Sequence, residues 1–218
     1  MSQLFKRRAN SIANLAIVGG IGFVLVVAAT LYGFAHSDFL TQVGAPIDQP
    51  VPFSHQHHVG DLGIDCRYCH TGVEKSPYAG VPPTETCMTC HSQIWKDAPP
   101  LQPIRESWAT GRAVKWQRVH DLPDYVYFNH SIHVNKGVGC ATCHGQVNEM
   151  PLTWKNQALY MRWCLDCHRA PEKYLRPVDQ VESMSYRPPP NQLAFGKNLI
   201  RQNHIQVAGL TDCYTCHR

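Results

Sequence analysis

Five short stretches share one pattern: two cysteines three apart, with a histidine directly behind the second. They are Cys66/Cys69/His70, Cys87/Cys90/His91, Cys140/Cys143/His144, Cys164/Cys167/His168 and Cys213/Cys216/His217. The chain has 10 cysteines in 218 residues, and every one falls in such a stretch. On a helical turn, positions i, i+3 and i+4 share a face. Two thiols can then bond the two vinyl groups of one porphyrin while the imidazole reaches its iron. C-x-x-C-H is the attachment signature of c-type haem. A structural zinc site wants four ligands, normally from two paired clips. Five clips leave one over, and zinc gives no reason for a histidine at the same place each time. A redox dithiol sits near a βαβ pattern, and none is visible here. A disulfide framework does not require the histidines. The pattern therefore predicts five haem c groups.

The second ligand decides what such a haem does, since an iron held on both sides carries electrons and one with an open side can do substrate chemistry. Eight histidines lie outside the motifs: His36, His55, His57, His58, His120, His130, His133 and His204. An internal repeat selects among them. "FSHQHHVGDLGIDCRYCH" at 53–70 matches "FNHSIHVNKGVGCATCH" at 128–144, both reading F-x-H-x-x-H-V ahead of the cysteines. His55 aligns with His130 and His58 with His133, which makes these four the expected distal ligands. His57 aligns with Ile132 and is read as a bystander. For the fifth iron His120 ranks first, followed by Met150, Met161 and His204, because thioether ligation is also common in c-type haems. His36 directly follows the apolar segment and is read as interfacial. None of the motifs replaces its proximal histidine, and no Gly-rich phosphate loop or G-x-S-x-G elbow appears, so no catalytic residue is expected.

The elements that position these groups follow from the rest of the chain. Residues 13–35, "ANLAIVGGIGFVLVVAATLYGFA", hold no charge, and 23 residues suffice to cross a hydrocarbon core as a helix. Gly33 and Ala35 would suit a cleavage site, but the apolar run exceeds that of a signal peptide. "KRR" at 6–8 keeps the short segment 1–12 cytoplasmic. The reading is a single-pass bacterial inner-membrane protein whose domain 37–218 lies on the outer, periplasmic face. Within that domain, 52–95 and 118–169 form two dihaem modules, and 170–218 is a connector ending in the fifth motif. Too little polypeptide is available for an ordinary core around each haem. The expected fold is a multihaem cytochrome c: few short α-helices and long loops packed around covalent haems, behind one transmembrane helix. Sixteen prolines agree with it. Trp95, Trp108 and Trp116 are expected to pack in the core or on haem. The formal charge of +4 omits the haem propionates, so it signals neither nucleic acid nor an acidic surface as partner.

The F-x-H-x-x-H ahead of C-x-x-C-H resembles the small multihaem cytochromes of the c3 and c7 type. The longer stretches 52–95, 118–150, 159–169 and 210–218 resemble the membrane-anchored pentahaem cytochrome c subunit of bacterial alternative complex III. That resemblance implies an electron-transfer subunit of a quinol-oxidising respiratory complex, relaying electrons to a cytochrome c or an oxidase. The implied partners are an iron–sulfur, molybdoenzyme-like subunit, polytopic quinol-binding subunits and a monohaem cytochrome c. It also implies His55, His58, His120, His130 and His133 as distal ligands. The alternative is a self-contained, membrane-anchored quinol dehydrogenase feeding periplasmic reductases.

Overall fold

The computed structural model describes Lys6 and residues 8–217. Residues 1–5 and Arg7, part of the expected cytoplasmic segment and of its basic run, lie outside the described residues, as does Arg218. The chain divides into two compact units, 1–43 and 44–218.

In the first unit, α1 runs Ala9–Ala35 and α2 is the single turn Asp38–Thr41. Helix α1 begins four residues before the expected span 13–35, since Ala9–Ile12 carry no charge either and the basic residues end at Arg8. Its 27 residues rise about 40 Å, more than the roughly 30 Å of a hydrocarbon core. It buries none of its side chains, so its apolar surface faces outward on every side. By length and composition it can cross a membrane.

The second unit is built of short helices and loops. They are α3 (Cys66–Cys69), α4 (Thr84–His91), α5 (Gln102–Thr110), α6 (His130–Asn135), α7 (Cys140–His144), α8 (Met161–Arg169), α9 (Gln192–Gln202) and α10 (Cys213–Cys216). No β-strand forms among the described residues. Three isolated bridges, Pro46–Trp154, Val126–His217 and Val138–Leu175, stitch loops together instead. Local chemistry sets the helix ends. Asp65 caps α3 by accepting from the Arg67 N–H at 2.8 Å, and Asn129 caps α6 through the Ser131 N–H at 3.0 Å. Gly111, at φ 68°, ends α5 in the left-handed conformation that glycine adopts without strain.

Among the described residues the buried apolar side chains are few: Val51, Ile104, Val134, Met150, Leu175, Val181 and Leu199. Hydrogen bonds and close backbone packing join the elements of this unit. The 171–173 turn lies directly on α9 at Gly196, where a Cβ would collide with the Glu172 backbone. Gly137, at φ +86°, allows a similar approach of the Arg176 carbonyl, and the Arg176 N–H donates to Gly137 O at 2.9 Å. Lys136 Nζ donates to Asn203 O at 2.6 Å, and Asn203 Nδ2 returns a bond to Lys136 O at 3.1 Å. That exchange ties α6 to the end of α9.

Candidate haem sites

Each C-x-x-C-H opens or ends a short helix, which puts its three side chains on one turn. The histidines ahead of them are presented the same way. His55 leads into the wide turn Gln56–Asp61, and His130 is the first residue of α6. In both copies the two histidines of H-x-x-H point to different motifs.

Four pairs of imidazoles face one another. His55 meets His70 with ring centroids 6.5 Å apart and planes 11° apart, and His130 meets His144 at 6.3 Å and 9°. His133 meets His168 at 6.1 Å and 26°, and His58 meets His91 at 6.3 Å and 66°. Metal–imidazole bonds of about 2 Å on each side, with about 1.1 Å from ring nitrogen to centroid, separate two such rings by about 6.3 Å. The four observed spacings bracket that value. Two imidazoles in direct contact would sit closer. The residues present therefore fit an iron held between each pair.

The far side of each ring supports the same reading. A ligating histidine gives its other N–H to an acceptor, which fixes tautomer and ring orientation. Nδ1 of His70 donates to Gly80 O at 2.7 Å, His91 to Ile94 O at 3.0 Å, and His58 to Ser54 O at 2.8 Å. His130 donates to Pro77 O at 2.8 Å, His133 to Asn129 O at 2.7 Å, and His168 to Leu210 O at 2.8 Å. His217 donates to Tyr125 O at 3.1 Å. A carbonyl only accepts, so Nδ1 is the donor in all seven, and Nε2 is the nitrogen left to face a metal. His55 Nδ1 lies 2.9 Å from Thr153 Oγ1. Burial, with His70 and His58 next to it, lowers His55 to about 4, and burial beside His120 and His130 lowers His144 to about 3. Both imidazoles are neutral at pH 7.

The repeat's phenylalanine had no assigned role in the sequence, and the structure supplies one. Phe53 stacks on His58 at 4.4 Å and meets His55 edge-on at 4.9 Å. Phe128 does the same to His133 at 4.5 Å and His130 at 4.7 Å. One aromatic ring thus braces both histidines of each copy. Its presence in both halves of the repeat was the signal. The carbonyl acceptors left none, because any residue supplies a carbonyl.

The ten thiols are unpaired. Burial raises Cys143 to about 12 and Cys66 and Cys167 to about 11. Thiols of neighbouring motifs add to this: Cys69 acts on Cys87, Cys140 on Cys66, and Cys216 on Cys164. Zinc needs thiolates, and among the described residues no three Cys, His, Asp or Glu side chains gather as a metal cage. A cleft of about 260 Å³ opens beside Cys66, lined by Val59, Gly63, Ile64, Asp65, Glu182 and Ser183.

The fifth motif is different. Among the described residues the ring nearest His217 is Tyr125, at 5.7 Å and tilted 32°, and no imidazole faces it. His120 lies against His144 instead, edge-on at 4.3 Å, and its Nε2 is buried without a hydrogen-bond partner. Burial next to Lys155 lowers it to about 4. Met150 is 1% exposed and packs in the small apolar core, Met161 is exposed at the start of α8, and His204 is exposed at φ 50°. His57 is exposed, 3.5 Å from Asp61 and parallel to Trp95. His36 stacks on Tyr32 at 4.1 Å. Trp95 and Trp108, expected to pack in the core or on haem, lie more than half exposed and so outside the apolar core of the polypeptide.

Helical turns carrying C-x-x-C-H, with imidazoles paired at these distances, suit the binding of c-type haem. Residues 126–218 match the family of cytochrome c7 and related cytochrome c. The chain is also similar to the multihaem cytochrome c subunit of menaquinone reductase from Nitratidesulfovibrio vulgaris, 28% identical over 205 residues that cover 90% of this chain and 88% of that protein.

Proposed function

We propose that this chain is the electron-transfer subunit of a membrane respiratory complex that exchanges electrons with the quinone pool. It carries five covalent haem c groups, each held by one C-x-x-C-H. The observation that carries this reading is the set of four imidazole pairs at 6.1–6.5 Å, each joining a motif histidine to a histidine of the F-x-H-x-x-H repeat. When bound, each haem supplies a one-electron couple. The protein's part is to hold the iron from both sides, so that no substrate reaches it, and to keep each ring in one orientation through its Nδ1–H bond. His70, His91, His144, His168 and His217 are the proximal ligands, and His55, His58, His130 and His133 the distal ligands of the first four sites. For the fifth, the placement of His120 against His144 leaves Met150, Met161 and His204 in the field beside it.

Helix α1 anchors the chain in the bacterial inner membrane, with the N-terminus cytoplasmic and the haem unit periplasmic. Within this class the motif pattern favours the pentahaem subunit of alternative complex III, partnered by an iron–sulfur subunit, polytopic quinol-binding subunits and a monohaem cytochrome c. Quinol would release two electrons and two protons there, and the electrons would leave to a cytochrome c or oxidase. A second reading reverses the direction, with a periplasmic donor feeding a quinone-reducing complex. The similarity to a menaquinone reductase subunit favours it. A self-contained quinol dehydrogenase is the third, and it requires a quinol site on this chain.

The test is the purified membrane complex. Haem c per chain should be five, and excess quinol should reduce the haems if electrons run outward. Haems that stay oxidised with quinol but pass electrons from a reduced periplasmic carrier to added quinone establish the reverse direction. Reduction of the isolated chain by quinol in membranes establishes the third reading, and a chain without covalent haem refutes all three.

A further inference from the structure

The five motifs do not lie in space in the order in which they occur along the chain. We propose that their spatial order is second, first, third, fourth, fifth, so that Cys87/Cys90/His91 and Cys213/Cys216/His217 are the two ends of the series. This rests on the electron-carrier reading above and adds the route to it.

Each link is a direct contact. The second and first motifs touch through their own intervening residues: Tyr68 Oη and Thr89 Oγ1 are 2.9 Å apart. They also share the turn that carries His58 to His91 and His55 to His70. The first motif then reaches the third through adjacent residues of one loop. Arg67 Nε meets Glu182 Oε1 at 2.8 Å, and the Cys140 N–H donates to Val181 O at 2.9 Å. The loop behind His70 is also bound to α6: Pro77 O accepts from both Nδ1 and the backbone N–H of His130, and Glu74 O accepts from Asn135 Nδ2 at 2.9 Å. Helix α6 joins the third motif to the fourth, with His130 on His144 and His133 on His168, one turn apart. The fourth reaches the fifth where His168 Nδ1 donates to Leu210 O, three residues before Cys213. The fifth is closed by the Tyr127 N–H bond to Cys216 O at 2.8 Å.

No such contact joins the second motif to the third, fourth or fifth among the described residues. Exposure marks the same two ends. Cys90 and Cys213 are the exposed cysteines, and the other eight are partly covered. Chain order alone would put the first motif at an end. The structure puts it inside, because the 72–80 loop is held by α6 and Arg67 by Glu182 of the connector.

The test is the structure of the loaded protein within its membrane complex by electron cryomicroscopy, each iron being identified by the cysteines bonded to its porphyrin. The iron at His91 should have the iron at His70 as its nearest neighbour, and the iron at His70 should lie between those of His91 and His144. The irons at His91 and His217 should be the most widely separated pair. An iron at His91 nearer to that of His144, His168 or His217 than to that of His70 overturns the order. A second readout is magnetic. In the oxidised protein, the double variant C87A/C90A should alter the electron paramagnetic resonance signal of the His70 site and leave those of the His168 and His217 sites unchanged. Changes confined to the His168 or His217 site overturn the order. A loaded, quinol-reducible protein with a different order overturns this proposal alone, whereas a chain without covalent haem overturns it together with the electron-carrier reading.

Discussion

His130 faces His144 from 6.3 Å away with the ring planes 9° from parallel, and His55 stands to His70 in the same relation within 0.2 Å and 2°. Two segments that share few residues beyond F-x-H-x-x-H-V and C-x-x-C-H thus build the same site. Both copies keep a ring spacing that would suit an iron between two imidazoles, although the surroundings differ.

Removing one of these rings should open one iron. The His130→Ala variant should retain all five covalent haems and gain a single carbon monoxide-reactive site, absent from the parent protein. The difference spectrum of the reduced protein measures it. A His130→Ala protein that stays inert to carbon monoxide would show that another group caps the His144 iron, and His120 at 4.3 Å from that ring would be the group to replace next.

Loss of a cysteine pair should remove one haem and no more. Cys213→Ala with Cys216→Ala should leave a protein with four haems by intact mass, because the motif sits on a peripheral turn that bears little of the buried core. The same change at Cys140 and Cys143 should reduce the yield of folded protein as well, since the Cys140 region is tied to Val181 and packed against Arg176.

The bracing phenylalanines should matter to ring orientation more than to assembly. Aromatic contacts of this kind contribute about 1 kcal/mol each beyond their buried area. Phe128→Leu should keep the haems bound and change the paramagnetic resonance of two sites, those of His130 and His133, because one ring touches both. A change at one site alone would contradict the shared-brace geometry.

Gly196→Ala sets two effects against each other. Alanine favours helix by about 1 kcal/mol over glycine, but its methyl would meet the Glu172 backbone, with Glu172 Cα at 2.7 Å. Overpacking against backbone costs about 1–3 kcal/mol, and a carbonyl held in a turn cannot move aside as a side chain does. The variant should unfold at a lower temperature than the parent in a thermal melt. An unchanged or raised midpoint would mean that the turn at 171–173 is free to shift.

Acid should act on the α3 cap. Hydrogen bonding from Arg67 holds the Asp65 carboxyl below its usual value. A carboxylate lowered in the folded state contributes stability above its unfolded pKa and loses it as pH falls through the folded one. The acid limb of a melting-temperature profile, from about pH 5 downward, should therefore be shallower in Arg67→Gln than in the parent. An acid limb as steep as the parent's would remove Asp65 from the account.

Spacing along the chain by itself determined the chemistry. Cysteines and histidine one turn apart can only be read against a helix, and the repeat of F-x-H-x-x-H singled out His55, His58, His130 and His133 without any fold. The uncharged run likewise determined α1, since length and apolarity are local properties. Tertiary structure alone decided which histidine meets which motif, which carbonyl fixes each ring, and that His120 packs on His144 and not on His217. Most of those are contacts between residues 10 to 92 positions apart. With a small apolar core and no sheet among the described residues, they are set by loops whose path follows from packing and backbone hydrogen bonding and leaves no periodic trace in the residues.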